Sequence, residues 1–238
     1  LTSLPVIGDI PLADEKSGSI AVFENHNNLM SETFRNVRTN LQFMLENGKN
    51  VILVTSTISG EGKSFVSSNL AISLSLLGKK VVIVGLDIRK PGLNKVFNIS
   101  QKEHGITQFL TNPTKNLMDL VQPSDMNENL FILPGGSVPP NPTELLARDG
   151  LEKAIETLKA NFDYVILDTA PVGMVTDTLL IGRTADLSVY VCRADYTRKA
   201  EFTLINELME NNKLPNLCIV INGLDLQKKK YGYYYGYG

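Results

Sequence analysis

Predominantly apolar runs alternate along the chain with stretches whose apolar residues recur at helical spacing, and this alternation predicts the order of secondary structure. The apolar runs, which indicate strands buried on both faces, occupy residues 50–56, 79–87, 129–135, 162–171, 185–193 and 216–223. Helical spacing predicts helices over residues 30–45, 63–77, 143–160 and 198–211. Buried strands that alternate with helices form a mostly parallel sheet with helices on both faces, so we expect an α/β fold.

The two ends of the chain differ from this pattern. Residues 1–28 are rich in proline, glycine and polar residues, which predicts an extended lead-in with a short strand at residues 20–23. Residues 228–238 contain only lysine, tyrosine and glycine, a composition that predicts a flexible tail. We therefore expect a lead-in segment (1–28), one globular domain (29–227) and a tail (228–238).

Composition narrows the class of protein. The chain is 43% hydrophobic with a formal net charge of -2, which suits one large core and gives no basic body for binding nucleic acid. Cys192 and Cys218 lie in apolar runs without metal-like spacing, so we expect buried, reduced thiols. No apolar run approaches the roughly 20 residues that span a bilayer, and the chain begins at Leu1, so we expect a soluble piece of a longer protein.

The stretch TSTISGEGKSF (55–65) lies between a predicted strand and a predicted helix, the context of a phosphate-binding loop. Glycine lets backbone N–H groups close around phosphate oxygens, while Lys63 reaches the terminal phosphates and Ser64 can bind Mg²⁺. One departure is Thr57, which stands where the usual loop has glycine. A glycine-rich turn that binds nothing is the alternative. The predicted nucleotide-binding residues of this loop are Thr57, Ser59, Gly60, Glu61, Gly62, Lys63, Ser64 and Phe65.

Two aspartates follow predicted strands at the same edge of the sheet. Asp168 ends the run VILD, and Asp87 lies two residues beyond Gly85, with Arg89 close behind. Carboxylates at the carboxyl ends of parallel strands can hold Mg²⁺ or its water, although either aspartate could instead cap a helix. Asn222, at the end of another strand, is a candidate for contact with adenine, or for a turn with the glycine that follows it.

The phosphate loop, the strand-end aspartates and the terminal tyrosine cluster together resemble the bacterial tyrosine kinases, the cytoplasmic kinase domains that accompany capsular and exopolysaccharide assembly. The resemblance covers nearly the whole chain, including residues 133–146 and the opening residues 4–11. It implies a P-loop NTPase-like fold, ATP and Mg²⁺ as cofactors, and magnesium ligands among Ser64, Asp87 and Asp168. The catalytic residues that it implies are Lys63, Asp87, Asp168 and Arg89.

The resemblance also implies partners and a substrate. The stretch ETFRNVR places Glu32, Arg35 and Arg38 on a motif that packs subunits of the family into a homo-oligomeric ring, although Glu32 and Arg35 could simply pair within a helix. The other partners that it implies are a transmembrane co-polymerase or activator region, expected in the same full-length chain, and a phosphotyrosine phosphatase. The domain would act at the cytoplasmic side of the plasma membrane. The implied phosphorylation sites, used in trans between subunits, are Tyr231, Tyr233, Tyr234, Tyr235 and Tyr237.

Position 85 departs from the family pattern. The family has aspartate there as well as at the position of Asp87, whereas this chain has Gly85. The second carboxylate is missing, so Asp87 is the candidate for both metal support and proton acceptance. Two alternative functions use the same fold: a P-loop switch ATPase, and a nucleotide-binding scaffold for polysaccharide assembly without kinase chemistry. The tyrosine tail and the ExxRxxR motif favour the kinase.

Overall fold

The computed structural model describes residues 1–13, 18–24, 28–100 and 103–227. The strands are β1 (Val6–Pro11), β2 (Val51–Ser56), β3 (Val81–Gly85), β4 (Gln122–Pro123), β5 (Leu130–Leu133), β6 (Tyr164–Asp168), β7 (Leu187–Arg193) and β8 (Leu217–Leu224). The α-helices are α1 (Leu29–Met44), α2 (Lys63–Ser75), α3 (Leu93–Val96), α4 (Ile106–Thr111), α5 (Pro142–Leu146), α6 (Gly150–Asn161), α7 (Asp177–Gly182) and α8 (Phe202–Glu210). Short 3₁₀ turns cover Leu117–Leu120 and Lys199–Glu201. The predicted tyrosine sites and the lysines before them lie outside the described residues.

The strands form one sheet in the order β1-β8-β7-β2-β6-β3-β5-β4. All neighbours pair in parallel except β4 and β5, which are antiparallel. In the centre, Asp168 at the end of β6 pairs with Val54 of β2 on one side and with Gly85 of β3 on the other. The predicted α/β fold with a mostly parallel sheet is confirmed, and its register brings three strand ends to one place.

Each face of the sheet has its own apolar core because successive side chains of a strand point to opposite faces. In β2, Val51 and Leu53 pack on the face covered by α4 to α8, whereas Ile52 and Val54 pack on the face covered by α1, α2 and α3. Both cysteines are free and buried as expected, and burial raises the pKa of the Cys218 thiol to about 12. Among the described residues, no helix combines the length and the apolar character that crossing a bilayer requires.

Two predicted elements differ from the observed ones. The helix predicted over residues 143–160 is divided into α5 and α6, and α6 begins at Gly150, a residue that is unfavourable inside a helix by about 1 kcal/mol relative to alanine. The strand predicted at residues 20–23 does not form. Instead, the N–H groups of Ala21 and Val22 donate to Oδ1 of Asn69 at 2.8 and 3.0 Å.

The lead-in segment supplies a strand that the sequence pattern did not indicate. β1 pairs with β8 at the edge of the sheet, where Pro11 is tolerated because that side of the strand needs no donor. A Cβ on Gly8 would lie 2.4 Å from Cγ2 of Val37, so the absence of a side chain lets β1 approach α1. The amide of Asn40 also donates to the carbonyl of Ile7 at 2.9 Å. The segment is therefore anchored to both the sheet and the first helix.

Asn69 gives a test of how the lead-in is held. Besides accepting two backbone hydrogen bonds, its amide donates to the carbonyls of Ser19 and Phe65. We expect Asn69→Ala to lower the free energy of unfolding by about 1–3 kcal/mol, because buried backbone donors lose their partner. Ser68→Ala is the matched control, since the neighbouring Ser68 hydroxyl is buried and has no hydrogen-bond partner. Equal losses in the two variants, measured by denaturant titration, would contradict this account.

Candidate active site

The loop between β2 and α2 has the backbone conformation of a phosphate-binding loop. Gly60 and Gly62 adopt φ angles of 92° and 95°, in the left-handed region that favours glycine. At Gly62 a side chain is also excluded by space, because a Cβ would lie 2.1 Å from Nδ2 of Asn222. Thr57 lies outside the left-handed region, so this position does not need glycine. Its buried hydroxyl instead shares a 2.8 Å hydrogen bond with the hydroxyl of Tyr190.

Four of the predicted site residues converge at the start of α2. Nζ of Lys63 lies 3.3 Å from Oδ2 of Asp87, and the hydroxyl of Ser64 donates to Oδ2 of Asp168 at 2.8 Å. Lys63 and Ser64 are the first residues of α2, while the two aspartates follow β3 and end β6, which are neighbours in the sheet. The structure therefore brings a cation, a hydroxyl and two carboxylates to one edge of the sheet, as the sequence predicts.

Asp168 is the most deeply buried of the charged groups that converge at the start of α2. Its side chain accepts hydrogen bonds from Ser64 and, at 3.1 Å, from Ser67. Burial raises the pKa of this carboxyl to about 6, against the lowering effects of Lys63 and the two hydroxyl donors. Desolvation of the charged form outweighs these favourable contacts. Lys63 and the two hydroxyl donors thus compensate the negative charge of this carboxylate only in part.

Glu61 supports the loop from inside. Its side chain is fully buried, where Oε2 accepts from the N–H of Ile58 at 2.8 Å and Oε1 accepts from the hydroxyl of Thr197. The sequence predicts Glu61 among the nucleotide-binding residues, but its carboxylate is directed to the protein. Phe65, another residue of that prediction, packs its ring edge-on against Phe34 of α1, with centroids 6.0 Å apart. Contact of Glu61 and Phe65 with a nucleotide stays a prediction, and we expect the backbone groups of these residues to make it.

Three further side chains hold the carbonyl groups of the loop from outside. Arg193 donates to the carbonyl of Gly60 at 2.8 Å, Tyr196 donates to that of Ser59 at 3.0 Å, and Asn222 donates to that of Glu61 at 3.0 Å. Asn222 lies within β8, and its contact with adenine stays a prediction. The sequence did not indicate Arg193, Tyr196 or Thr197, because the end of β7 and the residues that follow it carry no motif. With its carbonyls occupied, the loop is fixed in the conformation that its glycines allow.

Arg89 makes its hydrogen bonds with side chains of two other segments. Its Nε and Nη2 donate to the two carboxylate oxygens of Asp177 at 2.7 and 3.0 Å, and Nη2 also donates to the hydroxyl of Thr143 at 2.8 Å. The guanidinium of Arg89 is thus bonded to Asp177 and Thr143, and the catalytic role that the sequence predicts for Arg89 stays a prediction. The sequence did not indicate either partner: Asp177 lies outside the motifs, and Thr143 lies in the family-like segment 133–146, in which no site residue was predicted.

Gly85 is closely packed. A Cβ at this position would lie 2.9 Å from the backbone nitrogen of Gly135, a distance that requires the backbone to shift. An aspartate therefore does not fit here without movement of the segment after β5. Asp87, with Oδ1 accepting from the N–H of Lys90 at 3.1 Å, is the one carboxylate that the loop after β3 presents beside Lys63.

The predicted oligomerisation motif lies on α1. Glu32 and Arg35 form a salt bridge within the helix, which is the alternative that the sequence left open. Arg38 donates to the carbonyl of Ser73 at 2.5 Å, and burial lowers the pKa of its guanidinium. Arg35 and Arg38 also line a cavity of about 390 Å³ that Ser31, with its buried and unpaired hydroxyl, helps to form. The subunit contacts expected of this motif stay a prediction.

Comparisons with known proteins identify the family. A family model described as an AAA domain matches residues 49–196. The tyrosine-protein kinase CpsD of Streptococcus agalactiae is 34% identical over 207 residues, which cover 87% of this chain and 89% of that protein. The crystal structure of the chimerical protein CapA2B2 superposes with a TM-score of 0.84 at 33% identity, covering 93% of this chain and 95% of the other.

A further solved structure carries the kinase name directly. The kinase domain of the Escherichia coli tyrosine kinase ETK superposes with a TM-score of 0.82 at 28% identity, covering 93% of this chain and 91% of that chain. These similarities extend over nearly the whole chain, beyond the phosphate loop alone, and they confirm the resemblance that the sequence motifs indicate. The chain contains an AAA domain, belongs to the bacterial tyrosine kinase family and is a protein-tyrosine kinase of the P-loop fold.

Proposed function

We propose that this kinase transfers the γ-phosphoryl group of ATP to the C-terminal tyrosines of another copy of the chain. The observation that carries the proposal is the convergence of Lys63, Ser64, Asp87 and Asp168 at the start of α2. A lysine for the terminal phosphates, a hydroxyl and two carboxylates are the groups that phosphoryl transfer from a magnesium nucleotide requires. The five tyrosines between residues 231 and 237 are the acceptors.

The donor set suits Mg²⁺, which prefers hard oxygen ligands and is bound by one or two carboxylates together with substrate phosphates. Ser64, Asp87 and Asp168 would hold the ion or its waters, and the raised pKa of Asp168 marks a buried carboxylate that lacks a full counter-charge. When bound, Mg²⁺ neutralises charge on the β- and γ-phosphate oxygens.

The protein's own groups contribute mainly by position. The backbone of the loop, held by Glu61, Arg193 and Tyr196, binds the phosphates, and Lys63 stabilises the charge that develops on the transferred group. The bond from the γ-phosphorus to the bridging oxygen breaks as the tyrosine oxygen bonds to phosphorus, and ADP leaves. Asp87 accepts the phenolic proton. A strong base is not essential, because a loose transition state places little demand on the nucleophile.

Assembly supplies the acceptor. A tail held beside a neighbouring subunit has an effective concentration in roughly the millimolar range, so transfer in trans needs no strong peptide-binding groove. Each phosphate adds about -1.5 to -2 charge, which favours release of the tail and of the oligomer as phosphorylation proceeds. We assign the cycle to the regulation of capsular or exopolysaccharide synthesis, at the cytoplasmic face of the plasma membrane, with a transmembrane activator and a phosphotyrosine phosphatase as partners.

Intact-mass spectrometry after incubation with ATP and Mg²⁺ tests the transfer itself. We expect several additions of one phosphate in the wild type and none in Lys63→Met, because the substituted side chain cannot stabilise the developing charge on the γ-phosphoryl group. A chain ending at Lys230 should gain none, since it lacks the acceptors. Mixing this truncated chain with full-length Lys63→Met should restore phosphate on the latter, which is the signature of transfer in trans. Phosphate that persists on the truncated chain would place the acceptor elsewhere.

The raised pKa of Asp168 predicts how the stability of the nucleotide-free protein depends on pH. Because its pKa is higher in the folded chain than the ordinary value of 3.8, the unfolded state binds fewer protons between about pH 4 and pH 6, so stability falls as the pH rises through this window. Asp168→Asn removes that effect. We expect the nucleotide-free variant to be more stable than the wild type by about 1–2 kcal/mol at pH 8, with the difference shrinking towards pH 4.

Denaturant titrations of the nucleotide-free proteins at several pH values measure this difference. Asp125→Asn, which alters an exposed carboxyl group, should show no such dependence on pH. A variant that is less stable than the wild type by a constant amount at every pH would contradict the assignment. The same Asp168→Asn protein should fail to gain phosphate.

The role of the Glu32 and Arg35 pair in subunit contacts can be tested against a second charged pair of the same spacing. We expect the double variant Glu32→Ala with Arg35→Ala to shift the protein towards monomer in size-exclusion chromatography with light scattering, because it removes charged groups assigned to the subunit contact. Glu46→Ala with Lys49→Ala deletes a second exposed pair at i,i+3 spacing, near the end of the same helix. If both double variants retain the wild-type mass, α1 does not form the contact.

A further inference from the structure

The ion pair between Arg89 and Asp177 lies close to the Asp87 loop and differs from the surface pairs of the protein in the burial of its carboxylate. The Asp177 side chain is 1% exposed, whereas that of Arg89 is 38% exposed. The guanidinium makes a bidentate contact with the carboxylate, and the hydroxyl of Thr143 donates to Oδ1 of Asp177 at 2.9 Å. A buried carboxylate with several charge-assisted hydrogen bonds in planar geometry holds its partner far more rigidly than a surface pair does.

This pair joins two segments that carry the site's carboxylates. Arg89 lies two residues after Asp87, and Asp177 begins α7, which follows β6 and Asp168 along the chain. The same two segments also meet through the backbone, because the N–H groups of Leu86 and Asp87 donate to the carbonyl of Asp168 at 2.8 and 3.0 Å. Two sets of contacts therefore fix the chain around Asp87. One is the pair of backbone hydrogen bonds to Asp168, and the other is the ion pair that Arg89 forms with Asp177.

Thr143 connects a third segment to the ion pair of Arg89 and Asp177. This residue belongs to α5, and its hydroxyl both accepts from Arg89 and donates to Asp177. The segment after β5 is also in contact through Gly135, whose Cβ position would lie 3.3 Å from Cβ of Pro91. The loop after β3 is thus fixed against both of its neighbours at the carboxyl edge of the sheet.

The position of Asp87 has unusual weight in this chain, since Gly85 contributes no carboxylate and packs against Gly135. From these contacts we infer that Arg89 and Asp177 are positioning residues, which hold the Asp87 carboxylate where it supports magnesium binding. They act through the Asp87 loop and do not contact the nucleotide. This inference rests on the proposed magnesium nucleotide site, and it assigns to Arg89 a role other than direct catalysis.

The measurement is the affinity for ADP in the presence of Mg²⁺ and in the presence of EDTA, by isothermal titration with the full chain. The ratio of the two affinities reports support for the metal, and a loss of general folding would lower both values together. We expect Arg89→Lys, which retains the charge but loses the bidentate fork, and Asp177→Asn to reduce the ratio about 10-fold to 100-fold. The affinity in EDTA should stay within about threefold, well under 1.4 kcal/mol.

Arg183→Lys is the matched control. The Arg183 side chain is 40% exposed, binds Glu152 at 3.0 Å and contacts the carbonyls of Leu146 and Ala147 away from the phosphate loop. It should retain the wild-type ratio. Wild-type ratios in Arg89→Lys and Asp177→Asn would overturn the positioning role and leave the kinase site intact. A wild-type chain whose affinity for ADP does not respond to Mg²⁺ would overturn both the inference and the magnesium site on which it rests.

Discussion

The buried carboxyl group of Asp168 is the point on which the rest of the site depends. Its side chain accepts hydrogen bonds from the hydroxyls of Ser64 and Ser67 in α2. Its backbone carbonyl accepts hydrogen bonds from the N–H groups of Leu86 and Asp87, which directly follow β3. One residue thus connects the phosphate loop helix, the central strand and the loop with the second carboxylate. These contacts exist because β6 lies between β2 and β3 in a parallel sheet, which brings their carboxyl ends together.

Burial of this group disfavours its charged form, which suits the magnesium site that we propose. A carboxyl group with a pKa near 6 is held in an environment that disfavours its charge, and a bound cation would remove that unfavourable interaction. The surroundings are correspondingly rigid: Glu61 fills the inside of the loop, Arg193 and Tyr196 hold its carbonyls, and Asp177 fixes the segment after β3. A site that works by position and charge needs this support, since catalytic groups must already be in place when the substrate arrives.

Local pattern and motif were sufficient for the order of elements and for the centre of the site. The apolar runs predicted six of the strands, and GEGKS between a strand and a helix predicted Lys63 and Ser64 beside the strand-end aspartates. They were insufficient where contacts between distant segments decide the outcome. β1 is a strand only because β8 is available to pair with it, and residues 20–23 are not a strand because Asn69 takes their N–H groups.

By itself, the sequence determined the fold class, the phosphate loop and the kinase family, because hydrophobic periodicity and short motifs are local properties that the chain carries wherever it folds. Only the tertiary structure decided that Glu61 faces the interior, that Arg89 binds Asp177, and that Gly85 has no room for a side chain beside Gly135. The physical reason is that a side chain's hydrogen-bond partner is set by which segments the sheet order places next to it, and residues 88 positions apart in sequence carry no local sign of that proximity.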